Sequence, residues 1–583
     1  MWKCGPLRIS SMWVAWSSRC SGGLLLRTPT IIGLVRLKTY LSTLVCGLAL
    51  ALVALFAGSV CAPAQQASAT NAAETPAEHG RLLLVLPFQN QTGQSSLDWI
   101  GEAAADILNR RLNSAGFMTI GRGDRLYALD RLGLPLNFEP SRATTIRIAE
   151  NLDADYVVVG SYTLLDGRLA AKAQILDVSA LSLGSPLTRS ADLKGLMDTI
   201  NGLAWDVARK LDPSYSVAEQ TFLAADAPLR IDAFENYVRG VVEEAPLERI
   251  MHLKEAVRIS PTFTPAWLAL GRAYFANQEY DLAATTFGRL PIDDQHALEA
   301  DFYRGLSYFY TANYMKAEDA FAFVSLRLPL PEVVNNQGVA ASRRGRDGAP
   351  QFQQAIAADP RDEDYAFNLA VSLRRRNDTA GAVREIDQAL KLRPNDTEAQ
   401  AFATVLKDPS SVKVNPNPGK AIPDDSLPIE RIKRSYSETG FRQAAFEMEQ
   451  VESLRLATLP PAQQAASLVK NGDQFLNRGL ILEAEREYQF ALKADPSSAL
   501  AHAGLAQVRE HSRDVEAARQ EAQKSLILAP NVPAHLVLAR LDLASSQLAP
   551  AASEVSQALR IDPSSPNALG MKQAIESRGQ QVP

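Results

Sequence analysis

The stretch Trp267-Leu-Ala-Leu-Gly-Arg-Ala-Tyr274 decides the fold of the longest part of the chain. Its large residues recur at helical spacing, and Gly271 leaves space beside them. The small residue Ala283 and the aromatic residue Phe287 follow on the next helical stretch. Small residues opposite large ones let two helices approach closely, so this stretch predicts a packed helix pair.

The pattern recurs with a period of 34 residues. The positions that repeat it are Gly305, Tyr308, Ala317, Phe321 and Pro329, then Leu369, Ala370, Ala382, Ile386, Ala389 and Pro394, then Gly472, Phe475, Ala484, Tyr488, Ala491 and Pro496, and finally Leu505, Ala518 and Pro530. One helix pair cannot bury its own apolar face, so we expect the pairs to stack into an all-α solenoid.

A W-x2-L-G-x2-Y pattern followed by a small and an aromatic residue resembles the tetratricopeptide repeat. The resemblance covers about residues 264–396 and 465–565, with degenerate units at 231–263 and 332–362. We predict a solenoid in two blocks, with five units over residues 231–406 and three over residues 465–583, ending in a capping helix at 566–577. The resemblance implies a protein-binding scaffold.

The two blocks are separated by a stretch without helical periodicity. Residues 407–428 include five prolines and are predicted to be a linker. Helical spacing returns at Ile432, Tyr436 and Phe441, so we expect residues 429–464 to form bridging helices between the blocks.

Short apolar runs alternate with amphipathic helical stretches over residues 81–212. Residues 162–176 are predicted to form two strands joined at Asp166-Gly167, a dipeptide that supplies the positive φ angles of a tight hairpin. The order β-α-β-α-β-β-α predicts one α/β domain. Residues 213–230 are predicted to be a linker between this domain and the solenoid.

Three stretches of the α/β domain carry a family resemblance. They are LVLPF at 84–88 with NQT at 90–92, WIGE at 99–102, and ADYVVVGSY at 154–162. Together they resemble the bacterial TolB-like amino-terminal domain and the related FlgO-type envelope domain. The resemblance implies an envelope-associated, non-catalytic module placed ahead of helical repeats.

The charge of the chain is unevenly distributed. Its 583 residues include 60 basic and 65 acidic side chains, for a formal charge of −5. Six basic residues precede Glu74, the first acidic one, so the leader carries +6 and the remainder −11. This acidic body argues against a nucleic-acid partner. All 4 cysteines lie in the first 61 residues, so the body has no disulfide framework.

The leader resembles a targeting segment. Residues 41–60 carry no charge and follow the basic flank, and small residues come after them. This order is typical of a secretory signal, so we predict a signal peptide over residues 1–64, cleavage after Ala64 and a flexible linker over 65–80. The alternative is an uncleaved membrane anchor, since about 20 apolar residues can span a bilayer. Both predict a periplasmic or cell-envelope location.

The sequence lacks the motifs that usually carry catalysis or cofactor binding. It contains no G-x-x-x-x-G-K-[ST], no G-x-S-x-G and no H-E-x-x-H. The acidic run from Asp359 to Asp364 could suggest a cation loop, but Pro360 stands at the proline position of the repeat, which favours an acidic helix start. We therefore expect no enzyme activity, cofactor, metal or small-molecule substrate.

The first helices of the repeats carry aromatic and arginine residues at positions that resemble the usual groove-facing set. They are Arg272, Phe275, Phe302, Phe309, Tyr310, Arg343, Arg374 and Arg375. Both residue types are enriched at binding hot spots, and such a groove would suit an extended segment that carries carboxylates. The alternative is that the aromatics are core and the arginines are solvated.

These observations favour an exported, non-catalytic interaction scaffold of the bacterial cell envelope. It would bind partner proteins or peptides in the repeat groove, with membrane association through residues 41–60 if the leader is retained. One alternative is a regulatory subunit of an envelope enzyme or signalling system. Another is a peptidoglycan- or carbohydrate-associated protein, which would need exposed planar aromatics for sugar stacking.

Overall fold

The computed structural model describes residues 82–135, 141–225, 229–407, 427–436, 448 and 450–583. All of them belong to one unit, residues 76–583. The predicted leader with its cleavage after Ala64, the linker over 65–80 and most of the proline-rich stretch lie outside the described residues. Among the residues that are described, no helix is both long and apolar enough to cross a membrane.

The amino-terminal part is a mixed sheet covered by helices. Its elements are β1 (Leu82–Val85), β2 (Gln89–Asn90), α1 (Trp99–Ser114), β3 (Met118–Thr119), α2 (Arg122–Arg131), α3 (Arg142–Asn151), β4 (Tyr156–Leu165), β5 (Arg168–Asp177), β6 (Ser182–Leu183), β7 (Leu187–Asp192) and α4 (Leu196–Leu211). The strand order is β3-β1-β4-β5-β6, and β1 runs parallel to both of its neighbours. In addition, β2 pairs with β4, and β7 pairs with β5.

Helices cover both faces of this sheet because successive side chains of a strand point to opposite sides. Leu83 and Val85 join the apolar cluster built with α1 and α4. Leu84 joins a separate cluster with Leu129 of α2 and Ile148 of α3. This alternation explains the continuous apolar run of β1, which is buried on both faces.

The hairpin predicted at Asp166-Gly167 is confirmed. Asp166 has a φ of 51° and Gly167 a φ of 76°, and Leu165 pairs directly with Arg168 across the turn. The two strands are longer than predicted, because β4 runs unbroken from Tyr156 to Leu165.

The predicted order β-α-β-α-β-β-α omits three strands, the short β2 and β6 and the six-residue β7, and it has one helix where the structure has α2 and α3. The sequence of β7 is largely polar because its alternate residues are exposed and an arginine occupies the central one of its three half-buried positions. Arg189 donates to Asp206 of α4 through Nε at 2.6 Å and through Nη2 at 2.8 Å. An ion pair therefore takes the place of the apolar side chains that make a strand recognisable in sequence.

The predicted linker over residues 213–230 contains a helix instead, α5 (Glu219–Ala224). Phe222 of α5 is fully buried in the cluster that also holds α1 and α4. Thr221 is fully buried as well, and its hydroxyl accepts a hydrogen bond of 2.6 Å from Arg509 in the second repeat block. This stretch is thus a packed element that joins the α/β part to the repeats.

The repeats form helix pairs. The first block contains α6 (Ile231–Val242), α7 (Pro246–Ile259), α8 (Thr264–Ala276), α9 (Tyr280–Phe287), α10 (Ala297–Tyr310), α11 (Tyr314–Ser325), α12 (Pro331–Arg343), α13 (Ala349–Ala358), α14 (Glu363–Arg375), α15 (Thr379–Leu392) and α16 (Thr397–Lys407). The second contains α17 (Pro461–Asn477), α18 (Ile481–Ala494), α19 (Ala499–His511), α20 (Val515–Leu528), α21 (Val532–Ala544), α22 (Leu548–Ile561) and α23 (Pro566–Glu576). The described residues therefore give five pairs followed by α16, and three pairs followed by α23.

Glycine on the first helix of a pair makes room for an aromatic ring on the second. A Cβ on Gly271 would lie 2.5 Å from the ring of Phe287, and one on Gly305 would lie 2.8 Å from the ring of Phe321. The turn between the two helices contains a residue with positive φ in seven pairs of the described chain. These residues are Gln278, Ala312, Gly345, Asn377, Gly479, Arg513 and Ser546.

The prediction of bridging helices over residues 429–464 is wrong for its first part. Residues 428–436 adopt neither helix nor strand, whereas residues 450–457 are helical. The helical spacing of Ile432 and Tyr436 is misleading because the main chain here bonds to side chains of the first repeat block, as described below.

The close approach at Gly271 leads to a stability prediction. We expect Gly271→Ala to lower the free energy of unfolding of the repeats, because the added methyl group overpacks the Phe287 ring. Overpacking costs about 1–3 kcal/mol, and alanine returns up to about 1 kcal/mol of helix propensity. Chemical denaturation followed by circular dichroism measures the change.

Gly570 is the matched control. It also lies in a helix, but a Cβ there would meet nothing within 4 Å. Gly570→Ala is therefore expected to be neutral or stabilising by up to about 1 kcal/mol. Equal destabilisation by the two substitutions would contradict the packing argument.

Candidate functional site

A segment of the chain lies across the face formed by the first helices of the repeats. This groove segment, residues 428–436, contacts side chains of α10, α12, α14 and α16. We call the face formed by these four helices the groove. The repeats therefore hold a stretch of polypeptide that is not part of any helix pair.

Three asparagines hold the main chain of the groove segment. Asn368 accepts from the N–H of Arg431 at 2.7 Å and donates to the carbonyl of the same residue at 2.8 Å. Asn336 makes the same pair of bonds with Lys433, at 2.7 Å each. Asn335 donates to the carbonyl of Arg431 at 3.0 Å. Residues two apart in an extended chain face the same side, so this spacing suits an extended segment.

The three asparagines are fully buried. Asn368 also donates to Oδ1 of Asn335 at 2.8 Å, so the amides form one connected network with the groove segment. A buried amide without partners is destabilising by about 1–3 kcal/mol. The bonds from these asparagines are made to the main chain of the segment, so they do not depend on which side chains it carries.

Glu430 occupies a pocket between two arginines. Its side chain has 0% exposure. Oε1 lies 2.6 Å from Nη1 of Arg375, and Oε2 lies 3.6 Å from Nη2 of Arg343. The pocket therefore accepts a carboxylate that is removed from solvent but neutralised by its neighbours.

Arg431 points to a cluster of acidic side chains, away from the two arginines that surround Glu430. Nη1 and Nη2 lie 2.6 and 3.0 Å from the two carboxylate oxygens of Asp396, a bidentate pairing. Further ion pairs join Arg431 to Asp364 at 3.0 Å and to Glu398 at 2.8 Å. The guanidinium also lies 3.7 Å from the centre of the Phe367 ring.

Lys433, two residues after Arg431, makes contacts of the same kind. Its Nζ lies 2.7 Å from Asp362 and 2.6 Å from Asp364, and 5.3 Å from the centre of the Tyr365 ring. The acidic residue and the two basic residues of the segment therefore each face groove residues of the opposite charge.

These ion pairs shift the pKa values of the acidic groups. Hydrogen bonds from Arg431 lower the pKa of Asp396 below its ordinary value of 3.8, against a smaller opposing effect of burial. Burial by itself would raise the pKa of Asp364, but Lys433 and Arg431 together outweigh it and lower that pKa as well. Both carboxylates are therefore held in the charged form.

Two apolar side chains complete the contact. Ile432 packs against the clusters that contain Val339 and Leu369 on one side and Leu306 on the other. The ring of Tyr436 meets the Phe302 ring edge-on, with 5.1 Å between ring centres. Aromatic and aliphatic anchors within a polar surface are typical of a binding interface.

The structure places the eight predicted groove residues in different settings. Arg343 and Arg375 face Glu430, and Phe302 meets Tyr436. Phe309 packs in the same apolar cluster as Ile432, and the hydroxyl of Tyr310 is hydrogen-bonded to Arg434. Phe275 packs on Tyr280 and Tyr303, in the apolar cluster that Ile432 and Tyr436 also join. The last two make other contacts, since Arg272 pairs with Glu299 and Arg374 contacts Thr379 at 3.4 Å.

The asparagines and acidic residues of the groove were not predicted. Asn335 and Asn368 stand 33 residues apart, close to the repeat period, so a search for polar residues at that period could have found them. Asp362 and Asp364 lie at the start of α14, within the run for which the sequence predicts an acidic helix start. Asp396 and Glu398 lie at the start of α16 and have no distinguishing signal in the sequence.

One group of three carboxylates among the described residues, Asp362 to Asp364, is close enough to share a metal ion. Its charge is already compensated, because Lys433 pairs with Asp362 and Asp364 and Arg393 pairs with Glu363. A cation would have to displace these side chains.

A cavity of about 630 Å³ lies between the α/β part and the first two repeat helices, and its lining includes Glu102, Arg122 and Arg125 on one side and Arg239 and His252 on the other. Burial would raise the pKa of Glu102, but the ion pairs with Arg125 and Arg122 outweigh it and lower that pKa. Glu102 is therefore held ionised by its partners and is poorly suited to act as a general acid near neutral pH.

The asparagine contacts lead to a prediction about hydrogen exchange. We expect Asn336→Ala to speed exchange at the Lys433 amide by about 5- to 30-fold, the equivalent of 1–2 kcal/mol for the two lost bonds. Hydrogen–deuterium exchange with mass spectrometry of the full chain measures this. Asn277→Ala, at an exposed turn between α8 and α9, is the control and should leave the amide unchanged. Protection that survives Asn336→Ala would contradict the assigned contact.

The lowered pKa values predict a pH dependence in the same measurement. A carboxyl group whose pKa is lowered in the folded chain stabilises the occupied groove at pH values above its ordinary pKa. This stabilisation is lost as the pH falls through the lowered pKa. We expect protection at Arg431 and Lys433, corrected for intrinsic exchange, to be constant above about pH 5 and to fall below about pH 4. Asp364→Asn with Asp396→Asn should lower protection at neutral pH and remove this dependence. An unchanged dependence would contradict the role of the two aspartates.

Comparison with known proteins gives matches to parts of the chain. Two tetratricopeptide-repeat family models match, one at residues 339–397 and 469–533 and the other at residues 243–301. No curated protein matches.

Solved structures similar to parts of the chain include three proteins. The LpoB C-terminal domain from Escherichia coli is 24% identical, with 19% of this chain and 83% of that chain covered and a TM-score of 0.18. MamA from residue 41 to its end, from Desulfovibrio magneticus RS-1, is 21% identical, with 29% and 100% covered and a TM-score of 0.27. YrrB, described as a TPR protein with an unusual peptide-binding site, is 14% identical, with 35% and 99% covered and a TM-score of 0.27. By the family matches, residues 243–301, 339–397 and 469–533 are tetratricopeptide repeats.

Proposed function

We propose that this chain is an exported, non-catalytic interaction scaffold of the bacterial cell envelope that binds partner proteins through its repeats. The observation that carries the proposal is the groove segment, because a groove that holds one extended polypeptide through its main chain has the chemistry to hold another. The tetratricopeptide repeats support it further, since stacked repeats create extended binding surfaces.

The buried charges of the repeats are consistent with a binding role. Glu430 is paired with Arg343 and Arg375, and Glu485 is paired with Arg509 at 2.6 Å. Both carboxylates join different elements of the repeats, as expected for a scaffold.

The envelope location rests on the sequence. We infer export from three features of the sequence, which are the basic flank, the uncharged residues 41–60 and the small residues that end at Ala64. The α/β part, through its TolB-like sequence motifs, would be the module that associates with the envelope. The repeats would then recruit partner proteins at that location.

Affinity capture from separate envelope and cytoplasmic fractions tests the proposal. We expect the wild-type chain to be found in the envelope fraction and to retain specific proteins there. Arg343→Glu with Arg375→Glu should lose them by at least about tenfold, because two buried charge contacts of the groove are reversed.

Arg374→Glu with Arg376→Glu is the matched control. It makes the same change in net charge on the same part of the solenoid, but Arg374 contacts Thr379 and Arg376 pairs with Asp347 at 3.0 Å. Partners retained by the control and lost from the groove variant are the expected result. Partners retained by both variants, or a chain confined to the cytoplasm, would contradict the proposal.

A further inference from the structure

We propose that the groove segment is a self-ligand that competes with the partner, and that the partner binds through an extended segment of the same charge pattern. This inference rests on the proposed function. The pattern is a carboxylate, a basic residue, an aliphatic residue and a second basic residue, as in Glu430-Arg-Ile-Lys433.

The charges of the groove fix the register of its occupant. Arg343 and Arg375 surround the position of Glu430, whereas carboxylates surround the next residue, Arg431. A shift by one residue in one direction would place Arg431 between the two arginines, and a shift in the other direction would place Glu430 among the carboxylates. Each shift sets like charges against each other in one charged pocket and leaves an isoleucine in the other, so the groove selects one alignment and rejects its neighbours.

The carboxylate is the most selective of these contacts. The side chains of Arg343 and Arg375 are only 19% and 20% exposed with Glu430 in place. An occupant with an apolar or basic residue at this position would leave two largely desolvated arginines without a counter-charge. We therefore infer that the partner segment carries Glu, the residue whose reach the pocket fits in this chain.

The segment is held as a ligand is held, rather than as a core element. Glu430 is its one buried residue in the described stretch, and Ile432 and Tyr436 are partly exposed. The bonds are mostly ion pairs and amide contacts to the main chain. A polar contact of this kind, with few apolar anchors, can dissociate without exposing a large apolar core.

The covalent connection explains why the self-ligand occupies the groove in the resting chain. Only residues 408–426 lie between the end of α16 and the described segment. A tether of this length gives an effective concentration on the order of millimolar. A partner segment of similar affinity therefore binds only when it exceeds this local concentration or when the self-ligand is weakened.

A labelled peptide with the sequence of residues 427–436, Leu-Pro-Ile-Glu-Arg-Ile-Lys-Arg-Ser-Tyr, provides the test. Its binding to the full chain is followed by fluorescence anisotropy. We expect at least about tenfold tighter binding to Ile432→Ser with Tyr436→Ser than to wild type, because this variant weakens the self-ligand and leaves the groove intact.

Charge reversal then tests the alignment. A peptide with Lys in place of Glu430 should bind the weakened variant at least about tenfold less tightly. Binding should return when Arg343→Glu and Arg375→Glu are added to that variant. The control pair Arg374→Glu and Arg376→Glu should leave binding of the original peptide unchanged.

Each alternative outcome overturns a defined part of the account. Equal peptide affinity for wild type and the weakened variant, or no binding to either, would overturn the self-ligand even if envelope partners are captured. Peptide binding as expected, with no partner captured, would instead contradict the proposed function alone. A wild-type dimer by light scattering that dissociates in the weakened variant would show that the segment binds a second copy, and would overturn competition within the chain.

Discussion

In four of the eight described helix pairs a glycine of the first helix packs closely against an aromatic ring of the second, and the rest of the repeat architecture depends on this close packing. The contacts of Gly271 with Phe287 and of Gly305 with Phe321 bring two helices together, and the pairs then stack at a nearly constant period. Because the period is constant, residues at equivalent positions of successive first helices become neighbours. Asn368 thus lies beside Asn335, from which it is separated by 33 residues in sequence.

This periodic face has two functions at once, since it recognises both the main chain and the charges of its occupant. The buried asparagines bond the backbone at every second residue, which favours an extended segment of any sequence. The arginine pocket around Glu430 and the carboxylates around Arg431 then select the sequence and its alignment. Affinity and specificity therefore come from different side chains of the same first helices.

The sequence predicted what depends on local pattern and could not predict what depends on contacts between distant residues. The repeats and the Asp166-Gly167 hairpin have local signals, and the structure agrees with them. Ile432 and Tyr436 have helical spacing, but asparagines about 65–100 residues earlier hold their segment extended. Among the predicted groove residues, Arg375 faces the segment and Arg374 does not, because adjacent residues on a helix point about 100° apart. The leader stays a prediction, outside the described residues.

The first repeat block holds residues 428–436 of its own chain, and every role assigned to the groove depends on this contact. Replacement of Tyr436 by a photo-crosslinking phenylalanine analogue tests it directly, with the full chain at low concentration and equal amounts of isotopically light and heavy protein. We expect a crosslink from position 436 to the α10 peptide that contains Phe302, within light or within heavy chains. Crosslinks confined to other regions, or a statistical mixture of light and heavy partners, would contradict it.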